Sequence, residues 1–414
     1  MKNEFKNVWM LLPGHRVGYG DLTTEGGRIS AITEKSPPPV HAAAGLLLMP
    51  GLVNCHCHAA MTLLRSRGTG LPLKRWLEEA IFPAEAKLTP EDIRAGATWG
   101  AMEMLSSGTV AVADMYDFPG VGGEAFLAAG IKANICRVGL GFVEGRLEDC
   151  IEFTRGWKPG KAVADISIHS EYLTDESFCR ALAAANRELR RPLHVHLSET
   201  KAEHEECIAR HGKTPAAYLA GTGLFDYGGY AAHAVWCTDE DFRILADHGV
   251  TIVHNPTSNL KLASGFARIP EAVAAGVKVA LGTDGTASND NLDMFEEMHL
   301  ASLIHKGRLE DPTALPPWEI IDMATVNGAH ALGRADSGEL AAGKAADIAV
   351  VDLSRIHLVP ANDIPGLVVH SMRGADVVQT LVDGEIVYDR GEFMNLDRRR
   401  AEFDFRLALR RLEA

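Results

Sequence analysis

Two histidines, His56 and His58, stand two residues apart at the end of the apolar run Pro50-Gly51-Leu52-Val53-Asn54. In a β-strand alternate side chains share a face, so both imidazoles point the same way, as two ligands of one metal ion must. Cys55 and Cys57 beside them point to the opposite face, and we interpret them as packing residues. The spacing alone is weak evidence for a metal site, because it occurs by chance in many strands. The interpretation therefore depends on the rest of the chain.

Polar side chains that could act on a substrate follow several other apolar runs. They are found in the segments His169-Ser170-Glu171, His194-Val195-His196-Leu197-Ser198-Glu199, Ala232-His233, His254-Asn255-Pro256 and Thr283-Asp284-Gly285. Three imidazoles and one carboxylate suit a divalent metal such as zinc and leave one coordination position open for water. The metal lowers the pKa of that water towards about 7, and a neighbouring carboxylate, Asp284 or Glu199, can take its proton. The sequence therefore predicts a metal-dependent hydrolytic site.

Some of these residues keep a second interpretation. His194 shares a strand face with His196 and could be the ligand instead, although only His196 is followed three residues later by a glutamate, Glu199. His254 is either a structural histidine at a strand end or a pocket residue. Asp114, after another apolar run, is interpreted as a structural residue or one that orients a ligand histidine, because carboxylates commonly do so.

A pattern of strand followed by helix repeats through the middle of the chain. The predicted strands are Leu47 to Asn54, Thr109 to Ala113, Lys132 to Leu140, Ala164 to Ile168, Pro192 to Leu197, Tyr230 to Val235, Val250 to Val253 and Val277 to Leu281. Helix-like stretches separate most of them, and one begins with the capping residue Thr89, Pro90 at the first helical position and Asp92 as the acidic capping partner. Eight β/α units indicate an α/β fold, a (β/α)8 TIM-like barrel whose catalytic groups lie at the carboxyl ends of the strands.

The two ends of the chain have a different pattern, which is typical of short strands joined by turns. Val8 to Leu12 and Gly26 to Ile32 read as β near the amino terminus, and Asp347 to Asp352 and Val377 to Tyr388 read as β near the carboxyl terminus. Neither end holds enough strands to fold alone. We therefore predict a small composite β-sandwich domain built from both termini, residues 1–50 plus 336–414, beside a catalytic barrel of residues 51–335.

Composition excludes several classes of protein. The 414 residues carry a net charge of −14 and no basic run, which argues against binding to nucleic acid. No segment reaches the roughly 18 consecutive apolar residues of a membrane span, so no membrane is expected as a partner. Seven scattered cysteines without a CxxC pair suggest reduced thiols, and the amino terminus lacks the apolar region of a secretory signal. We expect a cytoplasmic protein.

With these residues in hand, the chain resembles the amidohydrolase superfamily, and within it the branch of S-adenosylhomocysteine and 5'-methylthioadenosine deaminases. The resemblance covers nearly the whole chain. It is carried by the composite β domain, the strand PGLVNCHCH, the loop LPLKRWLEEAIFPAEAKL and the segments HVHLSET, HNPTSNLKLASG and GTDG.

The resemblance implies a mononuclear site and its proton-transfer groups. One divalent metal, zinc or alternatively ferrous iron, is expected on four ligands, His56, His58, His196 and Asp284. Glu199 matches the proton-shuttling glutamate of the family, and His233 matches the histidine that assists the attacking water. Binuclear members use a lysine at the end of strand four, whereas here that place holds His169.

The resemblance also implies substrate contacts. Glu85 corresponds to the acceptor of ribose hydroxyls, Trp76 to the aromatic wall of a nucleoside pocket and His169 to the group that meets the purine. Arg137 and Arg146 resemble arginines that reach the tail on the ribose 5' position. Each has a plainer reading: Glu85 as a solvated loop carboxylate, Trp76 as an anchor of its loop, and the arginines as partners in surface salt bridges. Independently of the family, Ser288 on a predicted rim loop is a candidate substrate contact.

The activity implied is hydrolytic deamination of an adenosine-type nucleoside to the inosine analogue and ammonia, with 5'-methylthioadenosine, S-adenosylhomocysteine, adenosine and 5'-deoxyadenosine as candidate substrates. The connection between Arg137 and Arg146 is shorter than in members that grip an amino-acid tail, which weighs against S-adenosylhomocysteine. The alternatives are deaminases or hydrolases of an aminofutalosine-type nucleoside, guanine or triazines, and, from another class, a non-catalytic barrel module. A homo-oligomer, a dimer or tetramer, is expected from the family.

Overall fold

A computed structural model describes residues 2–38, 45–158 and 160–413. Its strands are β1 Lys2–Leu12, β2 Arg16–Glu25, β3 Arg28–Glu34, β4 Leu46–Pro50, β5 Leu52–His58, β6 Thr109–Met115, β7 Lys132–Cys136, β8 Ala162–Ser167, β9 Leu193–Leu197, β10 Gly229–His233, β11 Val250–His254, β12 Val279–Leu281, β13 Asp284–Gly285, β14 Ile348–Asp352, β15 Val377–Val382, β16 Glu385–Asp389 and β17 Glu392–Phe393.

The α-helices are α1 Leu73–Arg75, α2 Phe82–Glu85, α3 Pro90–Ser106, α4 Pro119–Ala129, α5 Arg146–Gly156, α6 Glu176–Leu189, α7 Lys201–His211, α8 Pro215–Thr222, α9 Asp239–Asp247, α10 Pro256–Lys261, α11 Ile269–Ala274, α12 Met294–Leu309, α13 Pro317–Ala324, α14 Val326–Ala331, α15 Ile364–His370 and α16 Arg398–Glu413. A π-helical stretch, Trp76–Ile81, joins α1 to α2. Within the described ranges, none of the helices combines the length and apolar character that a membrane span requires.

The strands β5 to β12 form one parallel sheet in chain order, and its two ends meet through the short strand β13. β12 pairs with β11, and β13, only two residues further along the chain, pairs with β5, so that Asp284 lies opposite Cys57. The ring of strands is therefore closed, and β12 and β13 act as one interrupted eighth strand. The predicted (β/α)8 barrel is confirmed.

The first predicted strand is wrong in its extent, because it joins two strands of different sheets. Leu46–Pro50 pairs with β1 and β14 in the other sheet, whereas Leu52–His58 starts the barrel. Gly51 makes the change of sheet possible, because a Cβ atom there would lie 2.3 Å from a Val110 methyl group. A continuous apolar run gives no sign of this division, since both strands are buried.

The second sheet is mixed, has eight strands in the order β17-β16-β15-β14-β4-β1-β2-β3, and is built from both termini, as predicted. Its attachment to the barrel includes Lys132 of β7, which is buried and forms ion pairs with Asp347 at 2.6 Å and Asp383 at 2.7 Å. The exact domain boundaries stay a prediction, and residues 1, 39–44 and 414 of the predicted small domain lie outside the described residues.

The last helix, α16, packs against the barrel helix α3 near the mouth of the barrel. The capping box at the start of α3 is confirmed, since Thr89 and Asp92 bond each other's backbone amides. The same Asp92 carboxylate accepts hydrogen bonds from Arg411 of α16. Ala408 and Leu412 of α16 join the apolar cluster that also contains Trp76.

Candidate active site

Five side chains from four separated stretches of sequence meet at the carboxyl ends of the barrel strands. Candidate ligand atoms of four of them, His56, His196, His233 and Asp284, all lie within 4.8 Å of one another. The fifth, His58, lies beside them, with Nε2 at 3.2 Å from Asp284 Oδ1 and 3.3 Å from His196 Nε2. His56 Nε2 is 3.3 Å from the same carboxylate oxygen.

These separations fit a single metal ion. Ligand atoms at about 2.0–2.2 Å from one ion in a tetrahedral site are roughly 3.3–3.6 Å apart. The distances of Asp284 Oδ1 to His56 and His58, and of His58 to His196, fall at or just below that range. In addition, His56 Nε2 is buried without a hydrogen-bond partner, which is costly unless the nitrogen lone pair is otherwise engaged. The residues present therefore fit a divalent metal.

Each histidine of the cluster is oriented through its other ring nitrogen. His58 Nδ1 lies 2.5 Å from the carbonyl oxygen of Met115, and His196 Nδ1 lies 2.7 Å from that of His169. A carbonyl only accepts, so these Nδ1 atoms carry the proton and Nε2 presents its lone pair to the cluster. Such contacts also hold the rings in place.

His194 orients His56 and is not part of the cluster. Its Nε2 lies 2.8 Å from His56 Nδ1, behind the ring. His233 is held in the same way, with Nδ1 2.9 Å from Asn259 Oδ1. The geometry thus favours His196 over His194 as the ligand, because only the His196 ring reaches the shared centre.

The Asp284 carboxylate is divided between two tasks. Oδ1 faces the imidazoles of His56 and His58, while Oδ2 accepts hydrogen bonds from Ser258 Oγ at 2.6 Å and Ser288 Oγ at 2.7 Å. The two hydroxyl donors stabilise the charged form of the carboxylate and fix its orientation.

Two residues of the cluster have a left-handed backbone. His233 has φ 74° and Asp284 has φ 59°, a conformation that non-glycine residues seldom adopt. Strain of this kind costs of order 1–3 kcal/mol per residue and persists only where surrounding contacts enforce it. Here the left-handed conformation directs both side chains from the ends of their strands towards the cluster.

Glu199 lies next to the cluster on the turn after β9. Its carboxyl is 3.8 Å from His233 Nε2, and burial raises the pKa of Glu199 above its ordinary value. The turn is held by Glu203 of α7, whose carboxyl accepts hydrogen bonds from the backbone amides of Ser198 at 2.8 Å and Glu199 at 2.7 Å. A buried carboxyl with a raised pKa beside an imidazole suits proton transfer near neutral pH.

A cavity of about 490 Å³ opens above the cluster and contains most of the predicted substrate contacts. Its wall includes Trp76, Glu85 and His169, together with His58 and Asp284 at the floor. Trp76 is almost fully buried, and its indole N–H donates to the Arg67 carbonyl oxygen at 2.9 Å, so it both anchors its loop and faces the cavity. Burial lowers the pKa of His169 to about 3, which leaves its ring neutral at pH 7.

Tyr116 is a cavity residue that the sequence reasoning missed. It follows β6 and lies near Glu85, and burial raises the pKa of the Glu85 carboxyl. Its hydroxyl is buried and has no hydrogen-bond partner among the described residues. Ser258 and Asn259 were missed as individual residues too, although they belong to the segment HNPTSN that carried the resemblance.

Other predicted residues do not line the cavity. Ser288 bonds Asp284 and does not line the cavity. Arg137 and Arg146 both donate to Asp117 Oδ1 at 3.0 Å, and Arg137 lines a separate outer groove. His254 Nε2 lies 3.3 Å from His305 Nε2 in the interior, a structural position.

Burial and hydrogen bonds support two further interpretations, those of Asp114 and of the cysteines beside the histidine pair. Asp114 accepts a hydrogen bond from the Ala59 amide at 2.7 Å, immediately after His58, which agrees with its interpretation as a structural residue. Cys55 and Cys57 are fully buried in an apolar cluster behind the strand, as their predicted direction requires.

We expect Ser288→Ala to weaken metal binding and to leave the KM for substrate within about twofold, because the hydroxyl orients Asp284. Loss of a residue that orients a metal ligand typically costs about 10–100-fold in metal affinity. Competition with a chromogenic chelator measures the affinity, and Ser354→Ala, an exposed serine, is the control. A raised KM with unchanged metal affinity would restore Ser288 to the substrate contacts.

A closed (β/α)8 barrel with a histidine and aspartate cluster at the carboxyl ends of its strands defines a metal-dependent hydrolase. The comparisons with known proteins agree. Residues 47–387 match the model of the amidohydrolase family, and the chain belongs to that family.

The proteins similar to this chain include deaminases of nucleosides. The chain is 43% identical over 377 residues to a 5-methylthioadenosine/S-adenosylhomocysteine deaminase of Acetivibrio thermocellus, covering 89% of this chain and 88% of the relative. It is 40% identical over 409 residues to a 5'-deoxyadenosine deaminase of Methanosarcina mazei, covering 95% and 94%. Among solved structures, an adenosine deaminase from Xanthomonas campestris with bound zinc has a TM-score of 0.91 at 30% identity, covering 98% of both chains.

Proposed function

We propose that the protein is a metal-dependent hydrolytic deaminase of adenosine-type nucleosides, with 5'-modified adenosines as its substrates. The observation that carries the proposal is the cavity above the cluster. Its floor holds three of the proposed metal ligands, His58, His196 and Asp284, and its wall holds a half-buried carboxyl, Glu85, and an indole, Trp76. A free base would leave that carboxyl without a partner, whereas a ribose supplies two hydroxyl donors. The relatives' activities support the same substrate class.

The metal would be held by His56, His58, His196 and Asp284, and His233 would lie within reach of it, because its ring belongs to the same group of candidate ligand atoms. When bound, a divalent metal lowers the pKa of a coordinated water and so supplies the nucleophile at neutral pH. We propose zinc, because imidazole nitrogens and one carboxylate in a compact site suit it, and the similar Xanthomonas structure holds zinc.

The chain's own residues move the protons. Addition of water at C6 of an adenine ring places electron density on ring N1, which must take a proton, and Glu199, with its raised pKa, is placed to give it. Asp284 accepts one proton of the attacking water, which leaves with the amino group as ammonia, and the other water proton returns to Glu199 as the C6 carbonyl forms. His169, neutral at pH 7, would meet the purine edge, and Trp76 would form one aromatic wall of the nucleoside site.

The direct test is ammonia release from a panel of compounds. We expect turnover of 5'-deoxyadenosine, 5'-methylthioadenosine and adenosine, and no turnover of adenine, guanine or cytosine. Activity confined to free bases would overturn the nucleoside proposal and leave the metal site intact. Chlorotriazines belong in the panel, since triazine hydrolases share the fold.

We expect Glu85→Gln to raise the KM for 5'-deoxyadenosine about 10–100-fold, because hydrogen bonds to a charged group contribute about 1.5–3 kcal/mol. The effect should vanish with the 2',3'-dideoxy analogue, which has no hydroxyl to bind. Steady-state ammonia assays measure both, and Glu78→Gln, an exposed glutamate on the same loop, is the matched control. Equal losses with both substrates would show that Glu85 acts on the loop and not on the ribose.

Compartment and assembly belong to the same proposal. All seven cysteines are buried and unpaired, which supports a reducing compartment such as the cytoplasm. A homo-oligomer stays a prediction, to be measured by sedimentation.

A further inference from the structure

The mouth of the cavity carries an ion cluster whose arrangement bears on the 5' end of a substrate. With C6 at the metal cluster and the ribose at Glu85, the 5' carbon of a nucleoside points away from the floor, towards the mouth. The residues there include Asp117, which also lines the cavity. The inference below rests on the proposed function.

Asp117 engages both nearby cations. Its Oδ1 accepts hydrogen bonds from Arg137 and from Arg146, each at 3.0 Å, and Arg137 also contacts Asp149 at 3.4 Å. The two positive charges are thus matched by two carboxylates, and no net positive charge is left to attract an anion.

The three side chains of the ion cluster differ in exposure, and this difference determines which charge a bound substrate contacts. The side chain of Asp117 is 53% exposed, whereas those of Arg137 and Arg146 are 20% and 9% exposed. Asp117 lines the cavity, whereas neither arginine does. A substituent that enters from the mouth therefore meets a negative charge before it meets a positive one.

The rest of the mouth is apolar. Phe82, Phe118 and Phe142 line the cavity and remain 44%, 43% and 73% exposed. Aromatic side chains exposed around a cavity are a surface for an apolar group, because covering them removes apolar area from water.

We propose that Asp117 is a specificity-determining residue, which makes the enzyme select adenosines with an uncharged, apolar 5' substituent and reject those with an anionic one. The carboxylate has two effects. It forms ion pairs with the two guanidinium groups, and its negative charge repels an anion at the mouth of the cavity. Removal of its charge would leave two cations with one remaining carboxylate, Asp149.

The test compares two substrates that differ at the 5' position, 5'-deoxyadenosine and adenosine 5'-monophosphate. In the unaltered enzyme we expect kcat/KM for the monophosphate to be at least about 100-fold lower, because like charges placed together in a binding site are strongly unfavourable. In Asp117→Asn the ratio of the two kcat/KM values should shift towards the monophosphate by about tenfold or more. Glu148→Gln, which removes an exposed carboxylate that belongs neither to the cavity wall nor to the ion cluster, should leave the ratio nearly unchanged.

A second measurement needs no variant. Repulsion between exposed charges is screened by salt, so kcat/KM for the monophosphate should rise between about 0.01 and 0.15 M ionic strength, while that for 5'-deoxyadenosine stays level. Equal kcat/KM for the two substrates, an unchanged ratio in Asp117→Asn or a fall with salt would each overturn the proposal. Absence of ammonia from both substrates would instead contradict the proposed function.

Discussion

Glu199→Gln should lower kcat for 5'-deoxyadenosine by about 10²–10⁴-fold, the usual contribution of a positioned general acid or base. Glutamine is isosteric with glutamate, so the turn held by Glu203 should persist, but an amide cannot carry a proton to ring N1. We expect metal content to stay at one ion per chain and KM to change little. Steady-state ammonia release and elemental analysis of the same sample measure the three quantities.

The matched control is Glu205→Gln, an exposed glutamate on the next helix, which should retain full activity. A Glu199→Gln enzyme with more than about a tenth of the original kcat would contradict proton transfer by Glu199. A loss of kcat together with a loss of metal would show instead that Glu199 is part of the metal site.

Asp284→Asn should abolish both metal retention and activity. The carboxylate is the single negative charge among the groups of the cluster, and Oδ1 lies at 3.2–3.3 Å from two of the imidazoles. Replacement by a neutral amide removes the charge attraction that a divalent cation gains there. A loss of several kcal/mol of metal-dependent stabilisation corresponds to at least about a thousandfold in kcat/KM.

Zinc per chain, measured after purification without chelator, separates the two parts of this result. We expect about one equivalent in the unaltered protein and less than a tenth in Asp284→Asn. The control is Asp247→Asn, an exposed aspartate. Full metal content in Asp284→Asn would rule out this aspartate as a ligand, and iron in place of zinc in the unaltered protein would overturn the choice of metal.

Much of the fold could be predicted from the periodic pattern of apolar residues. The repeated alternation of apolar strand and capped helix predicted the barrel, and the β texture of both ends predicted a sheet that combines them. The error at Leu47 to Asn54 has a simple cause: two consecutive strands are both buried, so nothing in side-chain polarity marks the change of sheet at Gly51.

The residues of the metal-ligand cluster could be predicted from the sequence for a related reason. In a parallel barrel the carboxyl ends of all strands open to one side, so polar residues at strand ends must meet. Strand alternation placed His56 and His58 on one face without any structure. The resemblance then supplied roles that spacing could not, as for Glu85 and Trp76.

What the sequence by itself determined is the set of chemically competent residues and their common location, because strand period and barrel topology are local and repetitive. Only the tertiary structure shows which contacts these side chains make. His194 hydrogen-bonds His56, Ser288 hydrogen-bonds Asp284, and Asp117 forms ion pairs with Arg137 and Arg146. These assignments depend on side-chain directions and on distances of a few ångströms between segments far apart in the chain. The left-handed backbone of His233 and Asp284 is likewise set by the packing around them, and not by their own preferences.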